Sequence, residues 1–571
     1  MTEQDWTFDM KNEEAEDPNE VLTLLATRQR SEATELLVEM IKKHSFIYTI
    51  RDDIGDEVWI YRDGIYIPQG KTYIKQFCRA ILGGAYTTTL SNDVISKIAA
   101  DTYIDGKKFF EVKYPHIIAV SNGLLNLFTR ELRPFSPEEK HFNKIPVAYE
   151  PGIDCPEIDK HLHDVMVGKK DIDTFYEHTG HCLYKDWLVE RGLVYSGKKR
   201  NGKGKTIGLQ MAFLGPDNCT SISLKALSED DFAAGHLLNK LANNAGDIGS
   251  EMLKDTSVLK GLTGRDSITH NRKFLPRITF VNYAKFTISA NQLPVVRDGE
   301  AFFTRWGVNE FPYTFYSQSE IDSLPEAERA MCKVADPDIL SKITTDAELS
   351  GLLNMALDGL ARLRKNKEFS NYVNCKKVQE FWTRNADSFR AFCMDHVVVC
   401  YGSRVVKSEL KSLYRDYYTL HKVKPCGDKH IRNVLTTDYG AWDSHGDIEE
   451  KRIYYWEGIK IKGQGGHEGQ GFQTYIRDGN SDMGVKTISS LSTLSAKTDV
   501  TDVTIHQKLR VDILAFLKKN GETSKTILIH KFCKARTANG VLDTYTLDEV
   551  LENLKKNGEI FEPHVGRFAL P

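Results

Sequence analysis

The sequence predicts an α/β protein with a mixed α+β segment before its central domain and helix-rich segments after it. Two observations predict the centre: the apolar stretch "LVYS" ends at Ser196, and a glycine-rich loop and a helical pattern follow it directly. A third observation concerns the segments on either side of this centre. Helical and strand periodicities are mixed from about residue 33 to 185, and after residue 380 helical patterns are followed by short hairpins. The chain therefore divides into several segments.

These segments follow the local patterns in order. "EVWIYRDGIYIP" predicts a hairpin around Asp63 and Gly64, and "HIIAVSNGLLNLFTRELRPFSP" predicts short strands joined by turns. Helical patterns followed by the strand pattern "RIYYWEGIKI", and later by the two short strands of "GEIFEPHVGRFAL", predict two winged-helix domains. The predicted segments are an acidic mobile tail (1–32), an α+β domain (33–185), the α/β core (186–320), a helical segment (321–379), a first winged-helix-like domain (380–460), a flexible linker (461–503) and a C-terminal winged-helix domain (504–571).

Bulk properties restrict the class of protein. A chain of 571 residues has room for roughly three or four domains. The net charge of −3 gives no global basic signature, so any contact with nucleic acid requires a local basic stripe or channel.

Cysteine spacing and the first residues bear on location. The ten cysteines include no CxxC pair, which predicts reduced thiols in an intracellular protein without a structural metal cluster. The stretch "MTEQDWTFDMKNEEAEDPNE" is acidic where a targeting signal would be basic, and no apolar run approaches membrane-spanning length. We therefore expect a cytoplasmic protein that does not contact membranes.

The loop "SGKKRNGKGKT" fits a phosphate-binding loop in two registers. Gly197, Gly202 and Lys203 satisfy GxxxxGK, but Gly204 stands where serine or threonine is usual. Alternatively Gly204, Lys205 and Thr206 form GKT, but Lys199 replaces the leading glycine. Because the leading glycine directly follows the strand, the end of "LVYS" at Ser196 favours Lys203. The predicted nucleotide-binding residues are Gly197, Asn201, Gly202, Lys203, Gly204, Lys205 and Thr206; a basic surface turn is the alternative.

Four polar residues follow in an order that suits nucleotide hydrolysis. Asp247 and Glu251 lie in "AGDIGSE", Asn291 ends "KFTISAN", and Arg305 lies in "FFTRW". An acid that holds magnesium and polarises water, an asparagine near the γ-phosphate and an arginine that neutralises developing charge would form an ATPase site using ATP and Mg²⁺. An arginine donated by a neighbour would also require an oligomer. Each residue has a plain alternative as a loop acid, a turn residue or a surface charge.

These motifs resemble those of superfamily 3 helicases of the phage/plasmid and poxvirus primase-helicase type, which are related to AAA+ proteins. "NGKGK", "AGDIGSE", "KGLTGRDSITHNRKF", "TISANQLP" and the later Arg305 resemble the family's motifs A, B, B-prime and C and its arginine finger. "HIIAVSNGLLNLFTRELRPFSPEEKHFNKIPVAYEP" resembles the domain that precedes the ATPase, and the likeness spans roughly residues 40 to 460.

The resemblance implies an AAA+-like P-loop core and a role for each residue. Lys203 would bind the β- and γ-phosphates, Asp247 would be the Walker B acid, Asn291 the sensor and Arg305 the finger. The B-prime hairpin would present His270, Arg272 and Lys273 to single-stranded DNA in the channel of a homo-hexamer.

Two departures from the family pattern leave questions open. "LANNAG" is not the apolar strand that a Walker B acid usually ends, so either Asp247 or Glu251 could be the catalytic carboxylate. Gly204 removes the usual magnesium hydroxyl, which leaves Thr206 or water beside Asp247 as the predicted ligand. A primase half is expected to be absent or on another protein.

The predicted function is an ATP-dependent replicative DNA helicase of a virus, plasmid or integrated element. It would act on single-stranded and forked DNA at the host's nucleoid or replication site, with 3′ to 5′ polarity by family resemblance and a separate primase or other replication proteins as partners. One alternative is a winged-helix DNA-binding initiator or regulatory scaffold that uses ATP as a structural switch. Another is an ATPase that remodels protein.

Overall fold

The computed structural model describes residues 18–50, 55–246, 252–253, 255–272, 275–290, 293–296, 299–421, 423–448 and 451–462, together with short pieces after residue 512. The chain forms two compact units, Met1–Ala386 and Asp387–Pro571, and each is described by itself.

The first unit begins with a helical layer on a small sheet. The helices are α1 (Pro18–Ala26), α2 (Arg30–His44), α3 (Gly70–Leu82), α4 (Thr88–Asp101) and α5 (Gly106–Phe109), and the strands are β1 (Ile47–Ile50), β2 (Glu57–Arg62), β3 (Ile65–Ile67) and β4 (Tyr103–Ile104). The sheet order is β3-β2-β1-β4. The predicted hairpin is confirmed, since β2 pairs with β3 and Asp63 and Gly64 both have positive φ. Apolar faces of α2, α3 and α4 close one core over this sheet.

A three-stranded antiparallel sheet and two helices connect this layer to the centre of the unit. They are β5 (Ile117–Val120), β6 (Gly123–Asn126), β7 (Leu132–Arg133), α6 (Pro156–Val165) and α7 (Lys169–Leu183). The pairing confirms the short strands predicted from "HIIAVSNGLLNLFTRELRPFSP".

The centre of the unit is a five-stranded, wholly parallel sheet. Its elements are β8 (Gly192–Ser196), α8 (Lys203–Leu214), β9 (Cys219–Thr220), α9 (Leu224–Glu229), β10 (Ala242–Ala245), α10 (Ser257–Thr263), β11 (Ser267–Arg272), β12 (Leu275–Val281), β13 (Lys285–Ala290), α11 (Glu300–Phe303) and β14 (Trp306–Glu310). The order is β14-β8-β13-β10-β9, and β11 and β12 form a separate antiparallel hairpin. The strand that precedes the glycine-rich loop thus lies inside the sheet, between β14 and β13.

Helices cover both faces of this sheet, so its strands are buried on both sides. Leu193 and Tyr195 of β8 pack with α7 and α8 on one face, while Val194 packs with α10 and α11 on the other. The remaining elements of the unit are β15 (Thr314–Tyr316), α12 (Gln318–Ser323), α13 (Glu326–Arg329), β16 (Cys332–Val334), α14 (Ile339–Ile343), α15 (Asp346–Asn366) and α16 (Cys375–Ala386). α15 packs with α7 on the first face and α16 on the second, so the α/β class is confirmed.

In the second unit, the described residues between 387 and 462 form three helices and a three-stranded antiparallel sheet. Its elements are α17 (Ser388–His396), β17 (Val397–Val406), α18 (Lys407–Leu420), α19 (Asp428–Asp438), β18 (Trp442–Ile448) and β19 (Lys451–Ile461), with sheet order β17-β19-β18. Phe389, Leu410, Val434 and Ile459 contribute to one apolar core. Three short strands follow: β20 (Thr523–Ser524), β21 (Phe561–His564) and β22 (Arg567–Ala569).

One prediction about the ends of the chain is wrong, and others concern residues that the structure does not describe. Residues 18–32 were predicted as tail, but α1 and the start of α2 are helical, and Val21 is buried in the first core. Residues 1–17, the predicted linker after residue 462 and most of the predicted C-terminal winged helix lie outside the described residues. Within the described part of the chain, no helix combines the length and the apolar character needed to cross a membrane.

Candidate functional site

The loop between β8 and α8 makes a close turn that depends on Gly197. A Cβ atom at this position would lie 2.1 Å from the amide nitrogen of Asn201 and 2.3 Å from the carbonyl oxygen of Phe311. The side chain of Asn201 also stabilises the turn. Its Nδ2 donates to the Phe311 carbonyl oxygen at 3.2 Å, and its Oδ1 accepts from the backbone N–H of Lys203 at 3.3 Å. Only glycine permits this approach of the loop to the residue after β14.

Gly202 ends the loop in a left-handed conformation. Its φ is +89°, and a Cβ atom there would lie 2.5 Å from Cγ1 of Val165 in α6. Gly204, by contrast, has open space around the position of its missing Cβ. The loop is therefore packed against α6 at Gly202 and open at Gly204.

Lys203 is the first residue of α8, and its side chain lies within the loop. The ammonium group donates to the carbonyl oxygens of Gly197 at 2.6 Å and Lys198 at 3.0 Å, and the residue is only 5% exposed. Lys205 is exposed in the same first turn. This arrangement favours the register in which Lys203 faces a phosphate, because backbone N–H groups at a helix N-terminus also point toward that place.

Thr206 has a buried hydroxyl group that is already paired. Its Oγ1 lies 3.1 Å from Nε2 of His161 in α6 and donates to the carbonyl oxygen of Gly202 at 3.2 Å. Burial lowers the pKa of His161 to about 4, so this imidazole is neutral near pH 7. A magnesium role for Thr206 would require the hydroxyl to leave both partners, and it stays a prediction.

The segment after β14 covers the outer side of the loop. The backbone N–H of Phe315 donates to the carbonyl oxygen of Arg200 at 2.7 Å, and the guanidinium group of Arg200 pairs with Glu320 at 2.8 Å. Arg200 itself has a φ of +57°. The loop is thus held from α6 on one side and from residues 311–320 on the other.

Three predicted catalytic residues, Asp247, Glu251 and Asn291, lie outside the described residues. The strands before them are described: β10 ends at Ala245 and β13 ends at Ala290. Both run parallel to β8 in the same sheet, so their carboxyl ends lie at the edge where the loop begins.

Residues 242–245 of "LANNAG" form an inner strand of the sheet, β10, although the sequence did not predict a strand there. Asn243 makes this possible despite its polarity: its Oδ1 accepts from the Thr220 hydroxyl and the Ile222 N–H, both at 2.8 Å, and its Nδ2 donates to the Ile222 carbonyl at 2.9 Å. A buried amide whose hydrogen bonds are satisfied can replace an apolar side chain in a strand.

Arg305 lies at the amino ends of the parallel strands, whereas the loop begins at their carboxyl ends. It precedes the pairing of Trp306 with Gly192, whereas Gly197 follows the pairing of Ser196 with Glu310. Arg305 is level with residue 191 in this register, so six residue steps, or about 20 Å, separate it from Gly197 along the strands. The guanidinium group instead donates to the carbonyl oxygens of Lys260 at 3.3 Å and Ala301 at 2.8 Å. Within one chain, Arg305 therefore does not reach the loop.

The B-prime segment forms the hairpin expected from the resemblance, with β11 paired to β12 and an irregularity between His270 and Arg272. Both residues lie on β11, and Lys273 lies outside the described residues.

Sequence reasoning missed two buried residues that support this region. His161 is 45 positions from Thr206, so no local signal joins them. Lys285 begins β13, and its ammonium group donates to the carbonyl oxygens of Tyr184, Asp186 and Tyr283 at 2.6 to 2.9 Å. Lys285 thereby fixes the amino end of β13 to the segment before β8.

Two family models match parts of the chain. Residues 31–167 match a family described as "D5 N terminal like", and residues 194–305 match one described as "Family of unknown function (DUF5906)". The second match begins within β8 and ends at Arg305, so it contains the loop and the five-stranded sheet apart from its edge strand β14. Together the two matched segments are consistent with a replication protein of the viral primase-helicase type.

Comparison with solved structures gives distant likenesses. One is described as "The A form apo structure of NrS-1 C terminal region-CTR", with 13% identity, a TM-score of 0.36, and coverage of 77% of this chain and 100% of that chain. Another is "The apo structure of NrS-1 C terminal region (305-718)", with 12% identity, a TM-score of 0.35, and coverage of 78% and 100%. No curated protein matches the sequence significantly.

Proposed function

We propose that the protein is an ATP-dependent replicative DNA helicase that works as a hexameric ring on single-stranded DNA. The observation that carries the proposal is the geometry around Lys203, whose ammonium group lies within a strand–loop–helix turn that needs glycine at 197 and 202. This turn follows an inner strand of a parallel sheet, which is where α/β proteins bind nucleotides.

The residues of the loop fit the phosphates of ATP. The first N–H groups of α8 have no partner within the helix and point out of its N-terminus, beside the open space at Gly204. In this proposal the Lys203 ammonium group exchanges its two carbonyl acceptors for phosphate oxygens. Asn201 keeps the turn in shape, because its side chain bonds both to the backbone of Lys203 at the end of the loop and to the backbone of Phe311 after β14.

Hydrolysis would use residues at the carboxyl ends of the neighbouring strands. Asp247 follows β10 by two residues and Asn291 follows β13 directly, so both are expected at the same sheet edge as Lys203. Asp247 or Glu251 would orient and deprotonate the attacking water, and Asn291 would contact that water or the γ-phosphate. Bound Mg²⁺ would neutralise phosphate charge, with Asp247 as its predicted protein ligand.

The position of Arg305 supports an assembly of several subunits. Because it lies at the sheet edge away from its own loop, it could neutralise phosphate charge only at the loop of a neighbouring subunit. Arginine fingers of this kind raise hydrolysis rates by about a thousandfold or more. A closed ring would give every loop such a neighbour.

The hairpin of β11 and β12 is the proposed contact with DNA. A ring that brings several copies of His270, Arg272 and Lys273 together would form a local basic channel, which a chain of net charge −3 needs in order to hold a polyanion.

The second unit favours a second candidate function. Its helix–strand–helix–helix–strand–strand order with an antiparallel sheet is the order of a winged helix, which in an initiator or scaffold would bind duplex DNA. Strand displacement that requires hydrolysable ATP supports the helicase. Tight duplex binding that ATP does not change supports the scaffold.

Two substitutions test the helicase proposal. Lys203→Ala should lower ATP hydrolysis by at least about a hundredfold, because the ammonium group that lies within the loop is then lost. Lys205→Ala tests the alternative register, and hydrolysis should stay near normal because Lys205 is exposed in the same turn. If Lys203→Ala retains near-normal hydrolysis, the assignment of the loop is wrong.

Mixing variants tests the shared site separately. Lys203→Ala and Arg305→Ala subunits should restore part of the activity when combined, because some interfaces then contain one intact loop and one intact arginine. If activity does not recover at any ratio, Arg305 does not act across an interface.

A further inference from the structure

A second cleft in the first unit is lined by lysines and is separate from the loop around Lys203. It has a cavity volume of about 60 Å³ and lies between the segment that connects α5 to β5, the segment after β7, and the residues that precede β8 and β13. Its charged lining consists of Lys108, Lys113, Lys140, Lys185, Glu111, Glu138 and Glu139. Because Lys185 precedes β8, the cleft lies at the amino ends of the parallel strands, away from the loop at their carboxyl ends.

Lys185 is the innermost cation of this cleft and is only 7% exposed. Its ammonium group lies 3.3 Å from Nδ1 of His141, and in the part of the chain described it has no acidic partner within 4.0 Å. Burial lowers the pKa of Lys185 to about 7. A buried ammonium group with one neutral partner is costly, and two of its three hydrogens remain to be donated.

Lys285 shows how the same fold treats a lysine that serves only structure. Its ammonium group is also buried beside the segment 184–186, but it donates to three carbonyl oxygens at 2.6 to 2.9 Å. Every donor of Lys285 is therefore used. Lys185 instead lines the cleft, and among the described residues its ammonium group has His141 and no carbonyl oxygen as a hydrogen-bond partner.

The rest of the lining carries excess positive charge. Arg133 already neutralises Glu139 through two hydrogen bonds, at 2.9 and 3.3 Å. Besides Lys185, three lysines thus line the cleft together with two other carboxylates, those of Glu111 and Glu138. Burial and the neighbouring Lys113 lower the pKa of Lys140, which indicates that these two ammonium groups repel each other.

From this geometry we infer a second anion site that binds a phosphate group, with Lys185 at its base and Lys113 and Lys140 at its rim. A phosphate suits the cleft because its several oxygens can accept from ammonium groups that converge from different sides. The exposed ring of Tyr114 at the opening could stack on a base, so both a free nucleotide and a phosphodiester of single-stranded DNA carry the required chemistry. The site does not depend on ATP hydrolysis at the loop.

The test measures pyrophosphate binding to the full chain by calorimetry in a Lys203→Ala background, which disables the loop. Lys203→Ala protein should still bind pyrophosphate, and adding Lys185→Met should weaken that binding by about tenfold or more, since a charge-assisted hydrogen bond is lost. The exposed Lys71→Met is the matched control and should leave the affinity unchanged. The rim variants Lys113→Gln and Lys140→Gln change less buried positions and should each weaken binding without affecting folding.

Defined outcomes would overturn the inference. It fails if Lys203→Ala protein binds no pyrophosphate, if Lys185→Met and both rim variants bind as well as Lys71→Met, or if succinate binds as tightly as pyrophosphate. An oligothymidylate without terminal phosphates then distinguishes the sources. Competition with pyrophosphate identifies a phosphodiester as the ligand, and its absence identifies a free phosphate or nucleotide.

Discussion

Replacing Gly202 with alanine should damage the loop around Lys203 through two effects. The φ of +89° lies in the left-handed region, where a residue with a Cβ atom pays about 1–2 kcal/mol. The new methyl group would also lie 2.5 Å from Cγ1 of Val165, and overpacking of this kind costs about 1–3 kcal/mol. We therefore expect a loss of about 2–5 kcal/mol, or a loop that moves away from α6.

Gly204→Ala is the matched control, because it makes the same chemical change two residues away. Apart from its chain neighbours and the backbone of its own helix, no atom lies within 4 Å of the added Cβ, so alanine at this helical position should stabilise the protein by about 0.5–1 kcal/mol. Urea unfolding of both variants, followed by ATP binding to the folded proteins, measures the difference. Gly202→Ala should unfold at lower urea and lose at least about tenfold in ATP affinity, since 1.4 kcal/mol of lost binding is already tenfold.

The two variants must differ if α6 fixes the loop. If Gly202→Ala unfolds at the same urea concentration as Gly204→Ala and binds ATP equally well, then the close contact with Val165 does not exist in solution. The packing of α6 on the phosphate loop would then be refuted.

Three other changes test separate parts of the account. Gly204→Ser fits the open space and supplies the hydroxyl group that phosphate-binding loops usually carry at this position, so ATP binding should tighten only when magnesium is present. An equal gain in ATP affinity without magnesium would show that the added hydroxyl group does not act through the metal. His161→Asn should make the free energy of unfolding less dependent on pH in the acid range. Between pH 6.5 and about 4 the imidazole of the wild type takes up a proton only in the unfolded state, which favours unfolding. In urea titrations the wild type should therefore lose about 2 kcal/mol more stability than the variant between pH 7.5 and pH 5. Parallel profiles would refute the buried neutral histidine. Lys285→Met leaves three carbonyl oxygens without their donor and should cost about 3 kcal/mol or more in the same titration at pH 7.5; a neutral result would show that water replaces the ammonium group.

Local patterns were sufficient to predict the strand–loop–helix turn and two of the hairpins. Gly197 and Gly202 both have positive φ, a local backbone conformation that favours glycine, so their spacing was enough to predict the turn although not the contacts with Phe311 and Val165. The register also follows locally, because β8 ends at Ser196 and α8 begins at Lys203. The hairpin at Asp63 and Gly64 is specified in the same way by its turn residues.

Tertiary contacts decided what sequence patterns could not predict. Asn243 reads as polar loop, but partners more than twenty residues away satisfy its amide within a buried strand. The Thr206 hydroxyl reads as a spare magnesium ligand until His161 of α6 is placed beside it. Lys185 is one basic residue among many, and only the fold shows that it is buried next to a cleft.

The rate of ATP hydrolysis with and without single-stranded DNA distinguishes a DNA-translocating motor from a protein that only binds nucleotide. We expect hydrolysis that single-stranded DNA stimulates and that Lys203→Ala abolishes under both conditions. Hydrolysis that DNA does not change, or that persists in the Lys203→Ala variant, would contradict a DNA-translocating motor built on this loop.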